Sequence, residues 1–242
     1  MKAMLFAAGL GTRLGGLTAN KPKALVEVNG KPLLYYAIEY LKKYGVNDII
    51  INVHHYPDLI INYVNQNSLF GINIEFSDER DLLLETGGGL LKAKHFFTDV
   101  DNFVVYNTDI YTSLDLNQAI NLHKNENALA TLVVRNRETS RYLLFSNDNT
   151  MCGWKNVNTG EEIITRNKAD LTNYAFSGIQ VLSTKIFDLL KDKENTKFSI
   201  TKAYIELSKN NKIVGFVDKS KYWIDAGKPE TIEQLSNILK NH

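Results

Sequence analysis

The sequence contains little cysteine and proline and has no excess of charge of either sign. Cys152 is the single cysteine among 242 residues, so the chain cannot form a disulfide within itself or build a thiolate metal site. Lys and Arg number 28 against 27 Asp and Glu, a balance that gives no reason to expect a nucleic acid or a membrane as a partner. With 44% hydrophobic residues and 4 prolines, the composition is that of a globular protein.

Long apolar runs are also missing. No stretch approaches the ~20 apolar residues that cross a bilayer. Residues 1–8 are apolar, but they are too few for a signal sequence and continue into Gly9-Leu10-Gly11-Thr12-Arg13 without a cleavage-like region. We therefore expect a soluble, cytoplasmic protein. A small phosphorylated ligand is compatible with its near-zero net charge.

Strand-like and helix-like patterns alternate in the first part of the chain. Short apolar runs at 2–8, 48–53, 72–76 and 102–107 indicate buried strands. Apolar residues at helical spacing lie between them, near 32–41, 59–64 and 90–97. This order predicts a mainly parallel, doubly wound α/β sheet, in which ligands bind beyond the carboxyl ends of the strands. The motifs at 9–13, 52–55, 85–89 and 107–109 should therefore lie together.

The second part has a different pattern. Strands are predicted at 128–135, 142–147, 176–182, 213–217 and 222–224, and helices near 185–191, near 200–210 and from Pro229 onward. Residues 149–173 are polar and are expected to form loops. The sequence shows no internal repeat and no linker, so we expect a single domain over residues 1–242.

A glycine motif, Gly9-Leu10-Gly11-Thr12-Arg13-Leu14, follows the first strand. A dinucleotide-binding loop has a third glycine where Leu14 stands and an acidic residue at the end of the second strand, where this chain has Asn52-Val53-His54. The P-loop pattern is absent. A plain turn would explain a lone Gly-x-Gly, but Thr12-Arg13 and the later Lys21-Pro22-Lys23 favour phosphate binding through backbone N–H groups and a forked guanidinium.

Two aspartates lie at predicted strand ends, Asp109 in Asn107-Thr108-Asp109 and Asp225 in Trp223-Ile224-Asp225-Ala226-Gly227. Each alone is explained as a helix N-cap or a turn residue. Together, beside a phosphate-type loop, they suit Mg²⁺, which is usually held by one or two carboxylates plus phosphate oxygens.

These motifs, with Lys21-Pro22-Lys23-Ala24-Leu25 and Gly30-Lys31-Pro32-Leu33, resemble the signature of the sugar-1-phosphate nucleotidyltransferases. The resemblance extends over essentially the whole chain. Residues 85–89 and 53–55 are most similar to the short uridylyltransferases that act on N-acetylmuramic acid 1-phosphate in cell-wall recycling. The resemblance implies a Rossmann-like nucleotide-diphospho-sugar transferase fold. It also implies in-line attack by a sugar-phosphate oxygen on the α-phosphorus of a nucleoside triphosphate, with release of pyrophosphate.

The resemblance further implies a role for each matched residue. A nucleotide-binding part of about residues 1–125 would precede a sugar-phosphate-binding part of about 126–242. The implied contacts are Ala8, Gly9, Gly11, Thr12 and Arg13 to the triphosphate, Lys23 to the α-phosphate or the sugar phosphate, Gly87 and Gly88 beside the base, Ser177 and Gly178 on the sugar side, and Asp109 and Asp225 to Mg²⁺. Arg13 and Lys23 would be the catalytic side chains.

This sequence departs from the family pattern at two places. Gly15-Gly16-Leu17-Thr18 stands where a proline is usual, which predicts a looser loop. A Glu-Lys-Pro motif that supplies a second lysine to the sugar phosphate in several relatives is missing. Lys155 and Lys168 are candidates to replace it, and the sequence does not choose between them.

For the base we predict uracil and therefore UTP, because three successive glycines at 87–89 let the backbone close on a planar ring. Guanine has more polar edge atoms, and leaving one unpaired costs about 1–3 kcal/mol. The alternatives left open are a mannose or heptose 1-phosphate guanylyltransferase and a catalytically idle nucleotide-sugar-binding protein. An NAD-dependent oxidoreductase is disfavoured by Leu14. The sequence does not determine the oligomeric state, and a homo-oligomer is compatible with it.

Overall fold

A computed structural model of the chain describes residues 1–240. The strands are β1 (Lys2–Phe6), β2 (Glu27–Val28), β3 (Lys31–Pro32), β4 (Asp48–Val53), β5 (Asn73–Asp78), β6 (Asn102–Asn107), β7 (Ile110–Thr112), β8 (Ala130–Arg135), β9 (Arg141–Phe145), β10 (Met151–Asn156), β11 (Glu162–Ile164), β12 (Thr172–Ser183), β13 (Ile213–Val217) and β14 (Trp223–Asp225). The helices are α1 (Leu33–Lys43), α2 (Pro57–Gln66), α3 (Glu85–Lys92), α4 (Leu116–Glu126), α5 (Lys185–Leu189), α6 (Ile200–Leu207) and α7 (Pro229–Lys240).

A ten-stranded mixed sheet forms the centre of the molecule. Its parallel half has the order β6-β1-β4-β5, with helical crossovers between strands, as the alternating pattern predicts. The long strand β12 pairs antiparallel with β6 and joins the second part of the chain to the same sheet. Strands β9, β10 and β11 continue beyond β12, and β8 pairs with β12 and with β13.

The apolar residues of the sheet divide between two cores, because successive strand residues point to opposite faces. In β1, Ala3 and Leu5 belong to one core, which includes residues of α1, α2 and α4. Met4 belongs to the other, which includes residues of α3 and α6. Within the second core the rings of Phe97 and Phe103 stack with their centroids 4.0 Å apart. No helix among residues 1–240 is both long enough and apolar enough to cross a bilayer.

A third, smaller cluster attaches the last helix to the start of the chain. Leu235 of α7 is fully buried and shares this cluster with Leu14, the last residue of the glycine motif, and with Ile224 of β14. Asn29, in the turn between β2 and β3, adds a hydrogen bond from its side-chain amide to the carbonyl of Ser236 (3.0 Å). Helix α7 therefore supports the segment that the sequence marks for phosphate binding.

Two expectations of local structure were wrong. Residues 149–173 are not loops throughout, because β10 and β11 form a hairpin there. The edge strand β11 is three residues long and largely exposed, so it gives no apolar pattern in the sequence and relies on backbone pairing. Helix α3 begins at Glu85 instead of Leu90 and ends at Lys92, so the three glycines lie inside the helix.

A buried histidine couples the stability of this fold to pH. His123 of α4 is 1% exposed, and its ring nitrogens lie 3.0 Å from Thr131 Oγ1 and 2.9 Å from Asn102 Oδ1. Burial, with a smaller effect of Lys124, lowers the pKa of His123 to about 4. Between that value and the ordinary pKa of about 6.5 the unfolded chain binds the proton and the folded chain does not.

We therefore expect the free energy of unfolding to fall as the pH decreases from 6.5 to 4, by roughly 3 kcal/mol from this group. The measurement is urea unfolding at several pH values for the parent and for His123→Gln. The variant should be less stable at pH 7 and should lose this part of the pH dependence. Equal slopes in both proteins would show that His123 is not responsible.

Candidate active site

The carboxyl ends of three parallel strands meet at one edge of the sheet. Phe6 of β1 is in register with Asn52 of β4 on one side and with Asn107 of β6 on the other. A cavity of about 430 Å³ lies beyond these ends. Its lining contains Ala8, Gly9, Gly11, Thr12, Arg13, Lys23, Asn52, Leu83, Glu85, Thr86, Asn107, Thr108, Asp109, Ser199 and Gly227, among others.

The glycine motif forms a tight turn at the mouth of this cavity. Gly11 has a φ of 68°, and its carbonyl accepts hydrogen bonds from the Leu14 N–H (2.9 Å) and from the Thr18 hydroxyl (3.1 Å). A Cβ atom on Gly11 would lie 2.9 Å from Thr18 Cγ2 and 3.1 Å from Lys23 Cβ. Both the backbone angle and the close approach therefore require glycine. The Thr18 hydroxyl also donates a hydrogen bond to the Gly15 carbonyl (3.2 Å). This side chain therefore stabilises residues 15–18, the segment in which the family's usual proline is absent.

Lys23 and the two aspartates form a charged cluster beside the turn. Lys23 Nζ makes an ion pair with Asp109 and lies 4.0 Å from Asp225 Oδ1. Pairing of β14 with β7 brings the two aspartates together, because Asp225 is in register with Ile110 and the Ala226 N–H donates to the Asp109 carbonyl (2.8 Å). The two carboxylates that the sequence singles out are thus neighbours.

Asp225 is the more unusual of these carboxylates. Its Oδ1 atom is buried and has no hydrogen-bond partner. Burial, and next the charge of Asp109, raise the pKa of Asp225, while Lys23 and Arg13 oppose this rise. An unpartnered carboxylate oxygen beside a second carboxylate is a donor set that suits a hard cation such as Mg²⁺. Because no group of three or more His, Cys, Asp or Glu converges within residues 1–240, a cation here would need oxygens from a ligand.

A buried polar network, which the sequence did not reveal, holds the strand ends in place. The Ala7 N–H donates to Asn52 Oδ1 (2.8 Å), and Asn52 Nδ2 donates to Glu79 Oε1 (2.8 Å). The other oxygen of Glu79 accepts from the Leu84 N–H (3.1 Å) at the start of α3. Burial raises the pKa of Glu79, and these hydrogen bonds oppose the rise. The only sequence signal was the place of Asn52 at a strand end.

The structure does not support the expectation that Gly87 and Gly88 lie against a base. Both are buried within α3 and neither lines the cavity, whereas Glu85 and Thr86 do. A Cβ atom on Gly87 would collide with the Phe198 ring, and one on Gly88 would collide with the Thr196 carbonyl. The Gly87 N–H already donates to the Phe198 carbonyl (2.9 Å). These glycines are therefore explained by close packing of α3 on residues 196–198.

A second cavity, of about 910 Å³, adjoins the first and shares Glu85 and Ser199 with it. Its lining combines apolar and charged side chains, including Arg137, Arg141, Leu143, Trp154, Asn156, Glu161, Ile163, Phe176, Lys202 and Glu206. Ser177 and Gly178 line neither of these two cavities. The Ser177 carbonyl accepts from Trp223 Nε1 (3.0 Å), and Gly178 packs on Asn107, so both lie behind the site rather than in it.

Comparison with known proteins gives consistent matches. A family model described as "Nucleotidyl transferase" matches residues 2–242. The chain is 28% identical over 232 residues to a mannose-1-phosphate guanyltransferase of Debaryomyces hansenii, covering 95% of this chain and 62% of the relative. It is 35% identical over 145 residues to a UTP–glucose-1-phosphate uridylyltransferase of Synechocystis, covering 56% and 37%. The chain thus spans less than two thirds of the length of these relatives.

Solved structures share the fold over nearly their full length. HddC from Yersinia pseudotuberculosis, crystallised with GMP-PN, is 26% identical with a TM-score of 0.79, covering 98% of this chain and 99% of that one. A putative glucose-1-phosphate thymidylyltransferase from Bacillus anthracis has a TM-score of 0.83 at 19% identity, covering 100% and 96%. The predicted α/β fold with a mixed, Rossmann-like sheet is confirmed.

The geometry of the glycine turn predicts a large stability loss for Gly11→Ala. Gly45→Ala is the matched control, because Gly45 also has a positive φ (75°) but has no atom within 4 Å of its Cβ position. The control should lose about 1–2 kcal/mol from the backbone angle, and Gly11→Ala should lose about 1–3 kcal/mol more from the collision. Urea unfolding measures both, and equal losses would contradict the predicted collision with Thr18.

Proposed function

Since the chain belongs to the nucleotidyl transferase family, we propose that it joins a nucleoside triphosphate and a sugar 1-phosphate to give a nucleotide-diphospho-sugar and pyrophosphate. The observation that carries this proposal is the cluster at the first cavity. There the glycine turn, the cations Arg13 and Lys23 and the carboxylate of Asp109 line one cavity, and Lys23 connects this lining to the carboxylate of Asp225.

The triphosphate is bound at the glycine turn. Backbone N–H groups of the turn approach its oxygens, and the exposed guanidinium of Arg13 can take two of them in a bidentate contact. Arg13 passes so close to Gly227 that a Cβ atom there would lie 2.8 Å from its Nη2 atom. The glycine of Asp225-Ala226-Gly227 therefore leaves room for Arg13 to reach across toward Asp225.

Asp109 and Asp225 are the residues that would hold Mg²⁺. When bound, the ion would supply positive charge against the phosphate oxygens. The two carboxylates share Lys23 as their cation in the structure. A phosphate group offers Lys23 a third anionic partner, so this residue can bind the α-phosphate or the sugar phosphate without leaving the cluster.

Catalysis by these side chains consists of positioning and charge compensation. The nucleotide lies in the first cavity with its α-phosphorus toward the second cavity, where the sugar is bound. A phosphate oxygen of the sugar 1-phosphate attacks this phosphorus, and the bond to the pyrophosphate group breaks on the opposite side. Arg13 and Lys23 offset the negative charge that collects on the transferring group.

For the substrates we propose UTP and N-acetylmuramic acid 1-phosphate. This assignment is supported by the resemblance of residues 85–89 and 53–55. The three glycines at 87–89 do not add to it, because they lie inside α3 and do not form a flat loop against a base. A guanylyltransferase acting on mannose or heptose 1-phosphate is the second candidate. It is favoured by the guanyltransferase relatives and by the structure crystallised with GMP-PN. An idle binding protein would have no need of two adjacent carboxylates.

The base and sugar are tested by competition among UTP, dTTP, CTP, GTP and ATP with Mg²⁺. The acceptors are glucose 1-phosphate, mannose 1-phosphate and N-acetylmuramic acid 1-phosphate, and the readout is pyrophosphate release. We expect the highest kcat/KM with UTP and N-acetylmuramic acid 1-phosphate. A higher value with GTP would replace the uridylyl assignment by the guanylyl one. Absence of pyrophosphate with every pair would overturn the proposed reaction.

The carboxylates are tested by Asp109→Asn and Asp225→Asn. Each change removes charge that offsets the phosphate oxygens, so kcat/KM should fall about 10²–10³-fold, while the midpoint of thermal unfolding stays near that of the parent. Asp192→Asn, which alters an exposed carboxylate outside this site, is the control and should retain parental activity. A folded variant of Asp109 or Asp225 with near-parental turnover would exclude that residue as a necessary ligand.

A further inference from the structure

Arg137 occupies an unusual position in the lining of the second cavity. It follows β8, lines the second cavity and is half-buried. Its guanidinium lies over the ring of Trp223, 4.5 Å from the ring centroid. Nη2 donates to the Phe176 carbonyl (3.0 Å) and Nη1 makes a long contact to the Glu138 carbonyl (3.3 Å). The Nε atom is buried and has no hydrogen-bond partner.

The charge of Arg137 is also left without a close counter-ion. Among residues 1–240, no carboxylate oxygen lies within 4.0 Å of its guanidinium. Arg135, two residues earlier, shows the contrast, because it is paired with the buried Asp218 (2.5 Å). A guanidinium that is partly removed from water and left unpaired is costly. An anionic ligand would remove this cost and would satisfy the free Nε donor.

The electrostatic surroundings of Arg137 indicate where such an anion would lie. Asp225 is the carboxylate that interacts with its charge, and Asp225 borders the first cavity through Lys23. Trp223, on which Arg137 stacks, is two residues before Asp225 in β14. Arg137 is thus connected, through Trp223 and Asp225, to the charged cluster beside the first cavity.

The other cationic side chains in this region are less suitable for binding a phosphate group in the second cavity. Lys155 lies between Trp154 and Asn156, which both line the second cavity, so strand alternation directs Lys155 to the opposite face. Lys168 is 3.8 Å from Asp148 and does not line either of the two cavities. Arg141 and Lys202 line the second cavity, but both are exposed and lie at its rim.

We propose that Arg137 binds the phosphate group of the sugar 1-phosphate through its free Nε donor and so holds the attacking oxygen at the entrance to the first cavity. This inference rests on the proposed function and adds a specific residue for the acceptor phosphate. A planar guanidinium held on Trp223 and on two carbonyls has a fixed orientation and retains the Nε donor, which suits an oxygen of a phosphomonoester.

The test compares Arg137→Gln and Arg137→Lys with Arg141→Gln, a matched loss of an exposed arginine from the rim of the same cavity. Initial rates are measured with the triphosphate and sugar 1-phosphate on which the parent is most active. In Arg137→Gln the KM for the sugar 1-phosphate should rise about 10–100-fold, the range for losing a hydrogen bond to a charged group. The KM for the triphosphate should stay within about 2-fold, because Arg137 does not line the first cavity.

Arg137→Lys keeps the charge but loses the planar donor set, so its KM for the sugar 1-phosphate should lie between those of the parent and Arg137→Gln. Arg141→Gln should change that KM by less than about 3-fold, since an exposed rim charge contributes little. A purely structural role for Arg137 would instead lower the thermal midpoint and impair both substrates together. If Arg137→Gln fails to fold, an unchanged KM for the sugar 1-phosphate in Arg137→Lys overturns the proposal.

A binding measurement separates this inference from the proposed reaction. The chain has two tryptophans, Trp154 in the lining of the second cavity and Trp223 beneath Arg137, so intrinsic fluorescence should report binding of the same three sugar 1-phosphates without turnover. If the parent binds a sugar 1-phosphate but releases no pyrophosphate, and Arg137→Gln loses this binding, the role of Arg137 would be supported and the proposed reaction overturned. If the parent turns over and Arg137→Gln has an unchanged KM for the sugar 1-phosphate, only the proposed role of Arg137 would be overturned. If the parent shows no binding and no turnover, both proposals would be overturned.

Discussion

Pairing of β1 with β4 on one side and with β6 on the other is the constraint on which the rest of the structure depends. It places Phe6 level with Asn52 and with Asn107, so the residues that follow these strands share one edge of the sheet. The glycine turn, the Asn52–Glu79 network and Asp109 all take their positions from this register. A slip of one residue in either pair would turn the side chains of the shifted strand to the other face of the sheet and would separate the residues that now meet at this edge.

The charged side chains at this edge of the sheet depend on one another for charge compensation. Asp109 and Asp225 repel each other, and Lys23 lies between them as a shared cation. Burial of Asp225 Oδ1 without a hydrogen bond is unfavourable. Under the proposed function, a cation and a phosphate group would supply the contacts that the protein leaves unmade here.

The sequence was sufficient for features whose signal is local. Buried parallel strands are continuous apolar runs, and glycine and aspartate at their ends mark the site, so the first sheet and the cluster of Gly11, Lys23 and Asp109 could be predicted. Features that depend on contacts between residues far apart in the sequence could not be predicted in this way. The partner of Gly87 is Phe198, far along the chain, and without it three glycines read as a loop. The free donor of Arg137 depends likewise on where β8, β12 and β14 meet.

The packing of helix α7 affects which parts of the protein unfold together in local unfolding events. Leu235 shares its small cluster with Leu14, the last residue of the glycine motif, and with Ile224, one residue before Asp225. A local unfolding event that detaches the last helix would also release the turn and the second carboxylate, because their apolar support is common. We therefore expect these segments to open as one cooperative unit, distinct from the two larger cores, and this unit would set how long the edge of the sheet that carries the glycine turn stays intact between openings.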